Sequence, residues 1–203
     1  VVVADVDDVP KRGKYHETDE RLPTAKEIER LAGQALFVKG DIAEESSVRN
    51  LIEATVRHFS GIDILVNNAG IYVPGTSQEI SVEDWDHVVG VDLRATFLAT
   101  KFALPHIQRS QAGRIINIAS VHAFGGGGGP PYAAAKAGVV NLTRDTAVEV
   151  GTDGITVNAI CPGYIETPIQ DYLTEEQIEN TRKGTPLPRF GTPRDIGRAC
   201  VFL

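Results

Sequence analysis

Tyr132 and Lys136 are four residues apart in the stretch "PPYAAAKAG", which has the pattern of a helix. Residues at positions i and i+4 project from one face of a helix, so the phenol and the ammonium would lie side by side. A phenol has an ordinary pKa of about 10, and a neighbouring cation favours its ionised form. The pair would therefore supply acid–base chemistry closer to neutral pH. Taken alone, the spacing also fits an ordinary helix with a solvent-facing lysine.

Three strand ends carry further candidates. Ser120 closes the apolar run "RIINIAS", while "NNAG" (67–70) and "CPGYIETP" (161–168) follow two other such runs. In an open parallel sheet the carboxyl ends of the strands face the ligand crevice. Ser120 would then donate a hydrogen bond to a substrate oxygen beside the tyrosine, although a serine at a strand end is also an ordinary turn residue. The small residues and asparagines of "NNAG" suit the close approach of a flat ligand.

The elements that must position these residues alternate along the chain. Short β-branched runs are followed by longer helical patterns, which predicts a parallel sheet covered by helices. The runs lack strict alternation, as is typical of strands buried on both faces. They are "VVVAD", "ALFVKGD", "DILVNNAG", "GRIINIAS" and "GITVNAICPG". With no repeat and no linker, residues 1–203 are predicted to form a single α/β domain, and the polar segment 7–20 a surface loop or insertion.

Composition excludes several classes of function. The 203 residues are 42% hydrophobic with a net charge of −7, so no basic patch indicates nucleic-acid binding. No apolar run reaches the length of a membrane span, and no metal site is expected. Cys161 and Cys200 are too few for a disulfide framework and are expected to be free thiols. A cytoplasmic location is the prediction.

Both ends of the sequence resemble segments from the interior of a domain rather than chain termini. The chain contains no methionine, opens on the strand-like "VVVADVDD" and closes on "RACVFL" within an apolar helical pattern that has no stop signal. We therefore expect the sequence to be a piece of a longer protein.

The motifs together resemble a known family. "NNAG", a serine closing the next strand, Y-x-x-x-K and P-G-x-x-x-T occur in the order and at the intervals of the short-chain dehydrogenase/reductase family. The sequence is similar to its glucose 1-dehydrogenase and 3-oxoacyl-carrier-protein reductase members. The resemblance implies a Rossmann-like, doubly wound parallel sheet in three α/β/α layers, here missing its first and last strands. It also favours a loop over a substrate pocket, rather than a linker, for the glycine run before Tyr132.

The resemblance also implies roles for individual residues. Tyr132 would exchange the substrate proton, Lys136 would lower the tyrosine pKa and hold the cofactor ribose, and Ser120 would orient the substrate oxygen. The remaining residues would contact the cofactor: Asn68, Ala69 and Gly70 along the crevice, Pro162, Gly163, Ile165 and Thr167 at the nicotinamide end, and Asp41 and Ile42 at the adenine.

Asp5 ends the first strand, where this family binds the adenosine ribose. A carboxylate accepts hydrogen bonds from both ribose hydroxyls and repels a 2′-phosphate, which favours NAD over NADP. Lys11 and Arg12 are close in sequence and would weaken that preference. The alternative is a solvated aspartate at a strand end.

Asp92 departs from the family pattern, which usually has an asparagine at this place. Trp85, Val88, Val89 and Thr96 are spaced so that Asp92 falls on their mostly apolar helix stripe. A carboxylate there is either paired or shifted toward its neutral form. Pairing with Lys136, directly or through water, is one interpretation, and an aspartate merely tolerated in a degraded proton relay is the other. Our hypothesis is that Asp92 replaces the asparagine as a hydrogen-bond acceptor.

A second departure concerns the glycine-rich turn that binds pyrophosphate in this family, since none follows residues 1–5. The strand before that turn would lie between the strands at 1–5 and 63–66, so its absence would leave unpaired edges on both sides. We therefore expect this chain to bind dinucleotide weakly or not at all. The full-length protein is expected to be a homodimer or homotetramer, by resemblance and because helices 82–108 and 131–150 are apolar on more than one face.

The predicted reaction is reversible hydride transfer between NAD(P) and a small secondary alcohol or its ketone. The stretches 121–131 and 166–184 are expected to form the substrate pocket, the second as an amphipathic lid. His122 is assigned to a surface or supporting position. Two alternatives remain open, namely a cofactor-sensing protein without turnover and a catalytically inactive fragment. Which alcohol or ketone reacts is left open as well.

Overall fold

The computed structural model describes residues 1–9 and 22–203, so Lys11, Arg12 and most of the predicted 7–20 loop lie outside the described residues. Strands and helices alternate through this part of the chain, as predicted. The strands are β1 (Val2–Asp5), β2 (Leu36–Lys39), β3 (Ile64–Asn67), β4 (Arg114–Ile118) and β5 (Thr156–Ile160). The helices are α1 (Thr24–Arg30), α2 (Glu45–Phe59), α3 (Val82–Val89), α4 (Ala95–Ile107), α5 (Pro130–Val150), α6 (Glu175–Gly184) and α7 (Pro193–Phe202).

All strand pairs among the described residues are parallel. β1 pairs with β2, with Val2 opposite Leu36, and β4 pairs with both β3 and β5. In the second sheet Arg114 lies opposite Ile64 on one side and Thr156 on the other. Parallel neighbours need a crossover, and the intervening helices supply it. The predicted α/β fold of Rossmann type is confirmed.

The strands form two sheets, in the orders β1-β2 and β3-β4-β5. Within the described residues β1 and β3 are not hydrogen-bonded to each other, and this is where the resemblance predicted a central strand. Ile64 and Val66 of β3 are 57% and 45% exposed, which is unusual for a strand flanked by helices. Among residues 1–9 and 22–203, β3 therefore has one edge without a strand partner, and its apolar side chains are accessible.

The main core packs α2, α4 and α5 against β4 and β5. Its members are Ile52, Ile62, Ala103, Ile107, Ile115, Val150, Ile155 and Val157. A smaller cluster of Ala119, Val139 and Val140 joins the end of β4 to α5. This second contact fixes Ser120, which follows Ala119, relative to the helix that carries Tyr132 and Lys136.

Buried polar side chains connect β3, β4 and α5. Asn117 Oδ1 accepts a hydrogen bond of 2.8 Å from Asn67 Nδ2, and Asn117 Nδ2 donates one of 2.9 Å to Thr143 Oγ1. Asn117 is 2% exposed, so water cannot replace either partner. The network keeps the two strands and the helix in one register below the candidate site.

Replacing Asn117 with alanine is expected to lower the free energy of unfolding by about 2–3 kcal/mol, because it leaves buried polar groups of Asn67 and Thr143 without that partner. Urea unfolding of the purified variant measures the loss. Asn158→Ala is a matched control, since Asn158 lies on β5 opposite Ile116 and makes no side-chain hydrogen bond within the described residues. An Asn117→Ala variant no less stable than this control would contradict the role of the network.

The predicted long helix over 82–108 contains an irregular turn. α3 begins after Ser81, whose Oγ accepts from the Asp84 N–H at 3.0 Å, as its capping-box spacing predicted. Residues 90–94 then form one π-helical turn, in which the Ala95 N–H donates to the Gly90 carbonyl, before α4 continues to Ile107. Such turns are frequent at functional sites. This one contains Asp92, which is fully buried.

The segment after β5 has a small apolar core of its own. Leu173, Ile178 and Phe190 are buried together, and Tyr164 stacks on Phe190 with ring centroids 5.4 Å apart. α6 begins with a complete capping box made by Thr174 and Gln177. This cluster supports the stretch 168–173, which reaches the candidate site.

None of the described helices is long and apolar enough to cross a membrane. Over residues 1–9 and 22–203, no three His, Cys, Asp or Glu side chains are grouped so that they could hold a metal ion.

Candidate active site

Ser120 and Tyr132 line the same small cavity, which opens to solvent. Ser120 lies just beyond the end of β4 and precedes a short 3₁₀ turn, where its Oγ accepts from the His122 N–H at 3.2 Å. Tyr132 lies in the first turn of α5, which begins at Pro130, and the first turn is where a helix accommodates proline best. The structure thus brings together the two hydroxyls that the sequence analysis paired.

The pKa of Tyr132 is raised above its ordinary value, mainly by burial. A side-chain hydrogen bond with Ser120 lowers it, and the Asp92 carboxylate raises it. This direction is opposite to the expected effect of Lys136. Lys136 Nζ lies 5.5 Å from the centroid of the tyrosine ring and 3.1 Å from Asp92 Oδ2. The lowering of the Tyr132 pKa that the resemblance implied for Lys136 is not found in this structure, where burial has the largest effect.

Lys136 and Asp92 form a buried ion pair, with 3.1 Å between Nζ and Oδ2. The lysine is 4% exposed, the aspartate is fully buried, and Lys136 Nζ also donates to the Ile118 carbonyl at 3.1 Å. Burial raises the pKa of the Asp92 carboxyl, while the Lys136 ammonium and the Ile71 N–H oppose that shift. Direct pairing of Asp92 with Lys136, one of the two interpretations left open, is what the structure shows.

The "NNAG" loop closes over this ion pair. The Ile71 N–H donates to Asp92 Oδ1 at 2.8 Å. A Cβ added to Gly70 would stand 3.1 Å from Lys136 Nζ and 3.2 Å from Asp92 Oδ2. Glycine at this position therefore allows the loop to approach the charged pair closely. Asn68 and Ala69 are exposed beside it.

The proline–glycine turn after β5 lies against the serine. The Pro162 carbonyl accepts from the Val121 N–H at 3.0 Å, and Gly163 lines the cavity with Ser120 and Tyr132. Beyond it, Ile165 bridges to Gly191, and Thr167 Oγ1 donates to the Ile165 carbonyl at 3.4 Å.

The three residues assigned to the adenosine end of the cofactor do not line the cavity of Ser120 and Tyr132. Asp5 lines a separate cavity with Phe37, and its Oδ1 accepts from the Val6 N–H at 2.7 Å. Asp41 Oδ1 accepts from the Ala43 N–H at 2.8 Å, which is a local turn, and Ile42 is half-buried. Asp5 and Asp41 are both exposed and available to a ligand.

Several cavity residues were not singled out from the sequence. Tyr72 contacts both Tyr132 and Tyr172, with ring centroids 5.5 Å and 4.7 Å away. Its position two residues after "NNAG" was the sequence feature that could have placed it near the cofactor crevice. The rest belong to the stretch after the proline–glycine turn, and the predicted pocket segment included most of them: Tyr164, Ile169, Gln170 and Tyr172. His122, which was assigned to a surface or supporting position, lines the cavity with its ring centroid 6.4 Å from that of Tyr132.

The glycine run holds His122 in place. Gly128 is buried against the imidazole, so an added Cβ would lie 2.7 Å from His122 Cγ and 2.8 Å from its Cβ. The Gly126 carbonyl lies 3.3 Å from Nδ1 of the same ring. The run thus contacts the cavity through His122, while its role as a loop over a substrate pocket stays a prediction.

Gly128→Ala is expected to displace His122 and to lower kcat/KM by about tenfold, because the clash involves atoms at the base of the ring rather than a flexible tip. Gly125→Ala is the matched control, since an added Cβ there meets nothing within 4 Å. Steady-state kinetics of the two variants make the comparison. Equal kcat/KM values would show that the position of His122 has no bearing on turnover.

The family model described as enoyl-(acyl carrier protein) reductase matches residues 14–203. The chain is 40% identical over 180 residues to the (2S)-[(R)-hydroxy(phenyl)methyl]succinyl-CoA dehydrogenase subunit BbsD of Thauera aromatica, covering 89% of this chain and 73% of that protein. It is 36% identical over 179 residues to the 3-oxoacyl-[acyl-carrier-protein] reductase of Thermotoga maritima, covering 88% and 73%. It is 35% identical over 172 residues to the meso-2,3-butanediol dehydrogenase of Serratia marcescens, covering 84% and 68%.

A solved structure gives the same result for the fold. A protein from Sinorhizobium meliloti described as a short-chain alcohol dehydrogenase superposes with a TM-score of 0.84 at 31% identity, covering 89% of this chain and 73% of that one. A family match over most of the chain and several relatives above 30% identity agree with the arrangement of Ser120, Tyr132 and Lys136. The chain belongs to the short-chain dehydrogenase/reductase family and is similar to its 3-oxoacyl-acyl-carrier-protein reductases.

Proposed function

We propose that the protein catalyses reversible hydride transfer between a nicotinamide cofactor and a secondary alcohol or its ketone, with Tyr132 as the acid and base. The observation that carries this proposal is the meeting of the Ser120 and Tyr132 hydroxyls in one cavity. Family membership supports oxidoreduction. The relatives include proteins named as a (2S)-[(R)-hydroxy(phenyl)methyl]succinyl-CoA dehydrogenase subunit, a 3-oxoacyl-[acyl-carrier-protein] reductase and a meso-2,3-butanediol dehydrogenase, whose names share an alcohol or ketone function.

The residues around the cavity fit the flat end of a nicotinamide cofactor. Gly163 forms part of the wall beside Ser120 and Tyr132, and no heavy atom lies within 4 Å of the place where a Cβ would stand. Pro162, Gly163, Ile165 and Thr167 would hold the nicotinamide, with Asn68, Ala69 and Gly70 along the crevice. Asp5, Asp41 and Ile42 would bind the adenosine. When bound, the cofactor supplies or accepts the hydride.

In the oxidation direction Tyr132, as phenolate, removes the hydroxyl proton of the alcohol while the carbinol carbon loses hydride, which leaves the ketone. Ser120 donates a hydrogen bond to the substrate oxygen before and after transfer. In the reverse direction Tyr132 returns its proton to that oxygen. Lys136 Nζ donates to the Ile118 carbonyl and lies 3.1 Å from Asp92 Oδ2. An ammonium has three N–H donors, so one would remain for a ribose hydroxyl.

The proposal is tested on the full-length protein, because the present chain is expected to bind dinucleotide weakly or not at all. Nicotinamide absorbance is followed with a panel of secondary alcohols, ketones and acyl thioesters, in both directions and with both NAD and NADP. Turnover of at least one substrate is the expected result. Tight NAD binding without turnover of any substrate would support the cofactor-sensing alternative instead.

Asp5→Asn is expected to raise the ratio of NADP to NAD utilisation, measured as kcat/KM, by about tenfold, because it removes the anion that would repel a 2′-phosphate. Asp8→Asn is the matched control, since Asp8 lines the same cavity and is similarly exposed. An equal change in both variants would show that the total negative charge around this cavity, and not Asp5 in particular, sets the preference for NAD.

We further propose that the complete protein assembles as a homodimer or homotetramer. Phe97 on α4 and Val148 on α5 are 46% and 84% exposed, which leaves apolar surface on two of the long helices. Light scattering after size-exclusion chromatography measures the assembly. A monomer at micromolar concentration would contradict the proposal.

A cytoplasmic location is also proposed. It is supported by the two free thiols of Cys161 and Cys200, which persist in a reducing compartment. Cell fractionation with an antibody against the protein is the direct test.

A further inference from the structure

We propose that the site selects a neutral substrate with an aryl group on the reacting carbon and a hydroxyl donor on the adjacent carbon. The aryl ring would contact Tyr72 and Tyr172, and Gln170 would accept the hydrogen bond from the second hydroxyl. This inference rests on the proposed function, because the reacting oxygen must be held by Ser120 and Tyr132.

The first observation is an aromatic wall next to the reacting hydroxyls. Tyr72 packs edge-to-face on Tyr132, at an interplanar angle of 85°, and meets Tyr172 at 33°. Tyr172 is 43% exposed and neighbouring Ile169 is 37% exposed, although both line the cavity. Burial and the Tyr72 hydroxyl raise the pKa of Tyr172, so its ring stays a neutral phenol. The mouth of the cavity is therefore an uncovered apolar and aromatic surface, and aryl rings pack on such surfaces with a preference beyond simple area burial.

The second observation is an acceptor that lacks a donor. Gln170 Oε1 is buried and has no hydrogen-bond partner within the described residues. The backbone around it is satisfied, since the Gln170 N–H donates to Thr167 and its carbonyl accepts from Leu173. A buried acceptor without a partner is unfavourable, so a ligand that brings a donor to it recovers that loss. A hydroxyl on the substrate supplies the donor.

The third observation concerns charge. In the described part of the chain, no residue that lines this cavity carries a carboxylate, an ammonium or a guanidinium, and His122 is the only basic one. A carboxylate or phosphate placed beside the reacting carbon would therefore be desolvated without a charged partner. The cavity favours a neutral group on each side of the reacting carbon.

The probe is 1-phenyl-1,2-ethanediol, compared with 1-phenylethanol, which lacks the second hydroxyl, and with 1-cyclohexyl-1,2-ethanediol, which lacks the aromatic face. We expect kcat/KM for the phenyl diol to exceed that of each comparison compound by about tenfold. Gln170→Met removes the acceptor at similar length and is expected to bring the ratio of diol to 1-phenylethanol close to one. Tyr172→Leu should lower the phenyl-to-cyclohexyl ratio, while Tyr172→Phe, which keeps the ring, should preserve it.

Binding of the same diol, measured by titration calorimetry, separates failure of the inference from failure of the proposed function. Turnover with equal kcat/KM for all three compounds would overturn the inference and leave the oxidoreductase assignment in place. If no alcohol or ketone is turned over, the proposed function fails, and diol binding that Gln170→Met weakens still supports the recognition site. Absence of both turnover and diol binding would overturn both.

Discussion

Replacing Tyr132 with phenylalanine is expected to lower kcat by about 10³- to 10⁴-fold, because it removes the group that exchanges the substrate proton while it keeps the ring. Ser120 remains as a hydrogen-bond donor but is a far weaker base. The loss is measured by nicotinamide absorbance at saturating substrate. Thermal unfolding should change little, since the aromatic contact with Tyr72 is retained.

Tyr72→Phe is the matched control for this prediction. Its ring lies on the same cavity and contacts Tyr132, so it reports on packing without removing the proton-exchanging hydroxyl. We expect less than about a tenfold change in kcat. A Tyr132→Phe variant that lost no more activity than this control would exclude the tyrosine as the acid and base.

The rate of alcohol oxidation is expected to rise with pH toward the alkaline range. The pKa of Tyr132 is raised by burial and by the Asp92 carboxylate, and oxidation requires the phenolate. Below the raised pKa the phenol dominates and oxidation slows, whereas reduction, which requires the phenol, is favoured there.

Removing the carboxylate of Asp92 separates its structural role from its electrostatic role. Asp92→Leu leaves the buried Lys136 ammonium without its anion and is expected to cost about 3–5 kcal/mol of unfolding free energy. Asp92→Asn keeps an oxygen for the Ile71 N–H and should cost less. Urea unfolding of both variants measures the difference.

The asparagine variant is also expected to remain active, with the alkaline rise of its oxidation rate moved to lower pH. The carboxylate, ionised through its pairing with Lys136, raises the tyrosine pKa, so its neutralisation lowers that pKa. An inactive Asp92→Asn protein would contradict the idea that aspartate and asparagine both serve as the acceptor here. An active Asp92→Asn protein whose pH profile did not move would contradict only the idea that the Asp92 carboxylate raises the Tyr132 pKa.

Local patterns predicted much of this molecule. Short β-branched runs located all five strands, and the i, i+4 spacing placed Tyr132 and Lys136 on one helical face. The apolar stripe around Asp92 required a partner for its carboxylate, and the structure supplies Lys136. Each of these inferences depends on residues close in sequence or on the high free-energy cost of burying an unpaired carboxylate.

The other features depend on distances that no short pattern encodes. The direction of the Tyr132 pKa shift follows from a balance between burial, Ser120 and Asp92, groups that meet only in the folded chain. Tyr72 joins the cavity because the loop after β3 turns toward α5. The free acceptor of Gln170 likewise depends on the packing of the segment after β5.

Because of the π turn at residues 90–94, the side chains before and after it keep their relative orientation only if no residue is lost there. The turn accommodates one more residue than an α-helical turn would, so deleting a single residue there would restore regular helix geometry and change the alignment of the two flanks. Every side chain on one flank of the deletion would rotate by about 100° relative to the other. Asp92 would then no longer face Lys136, and the buried ion pair between them would be lost.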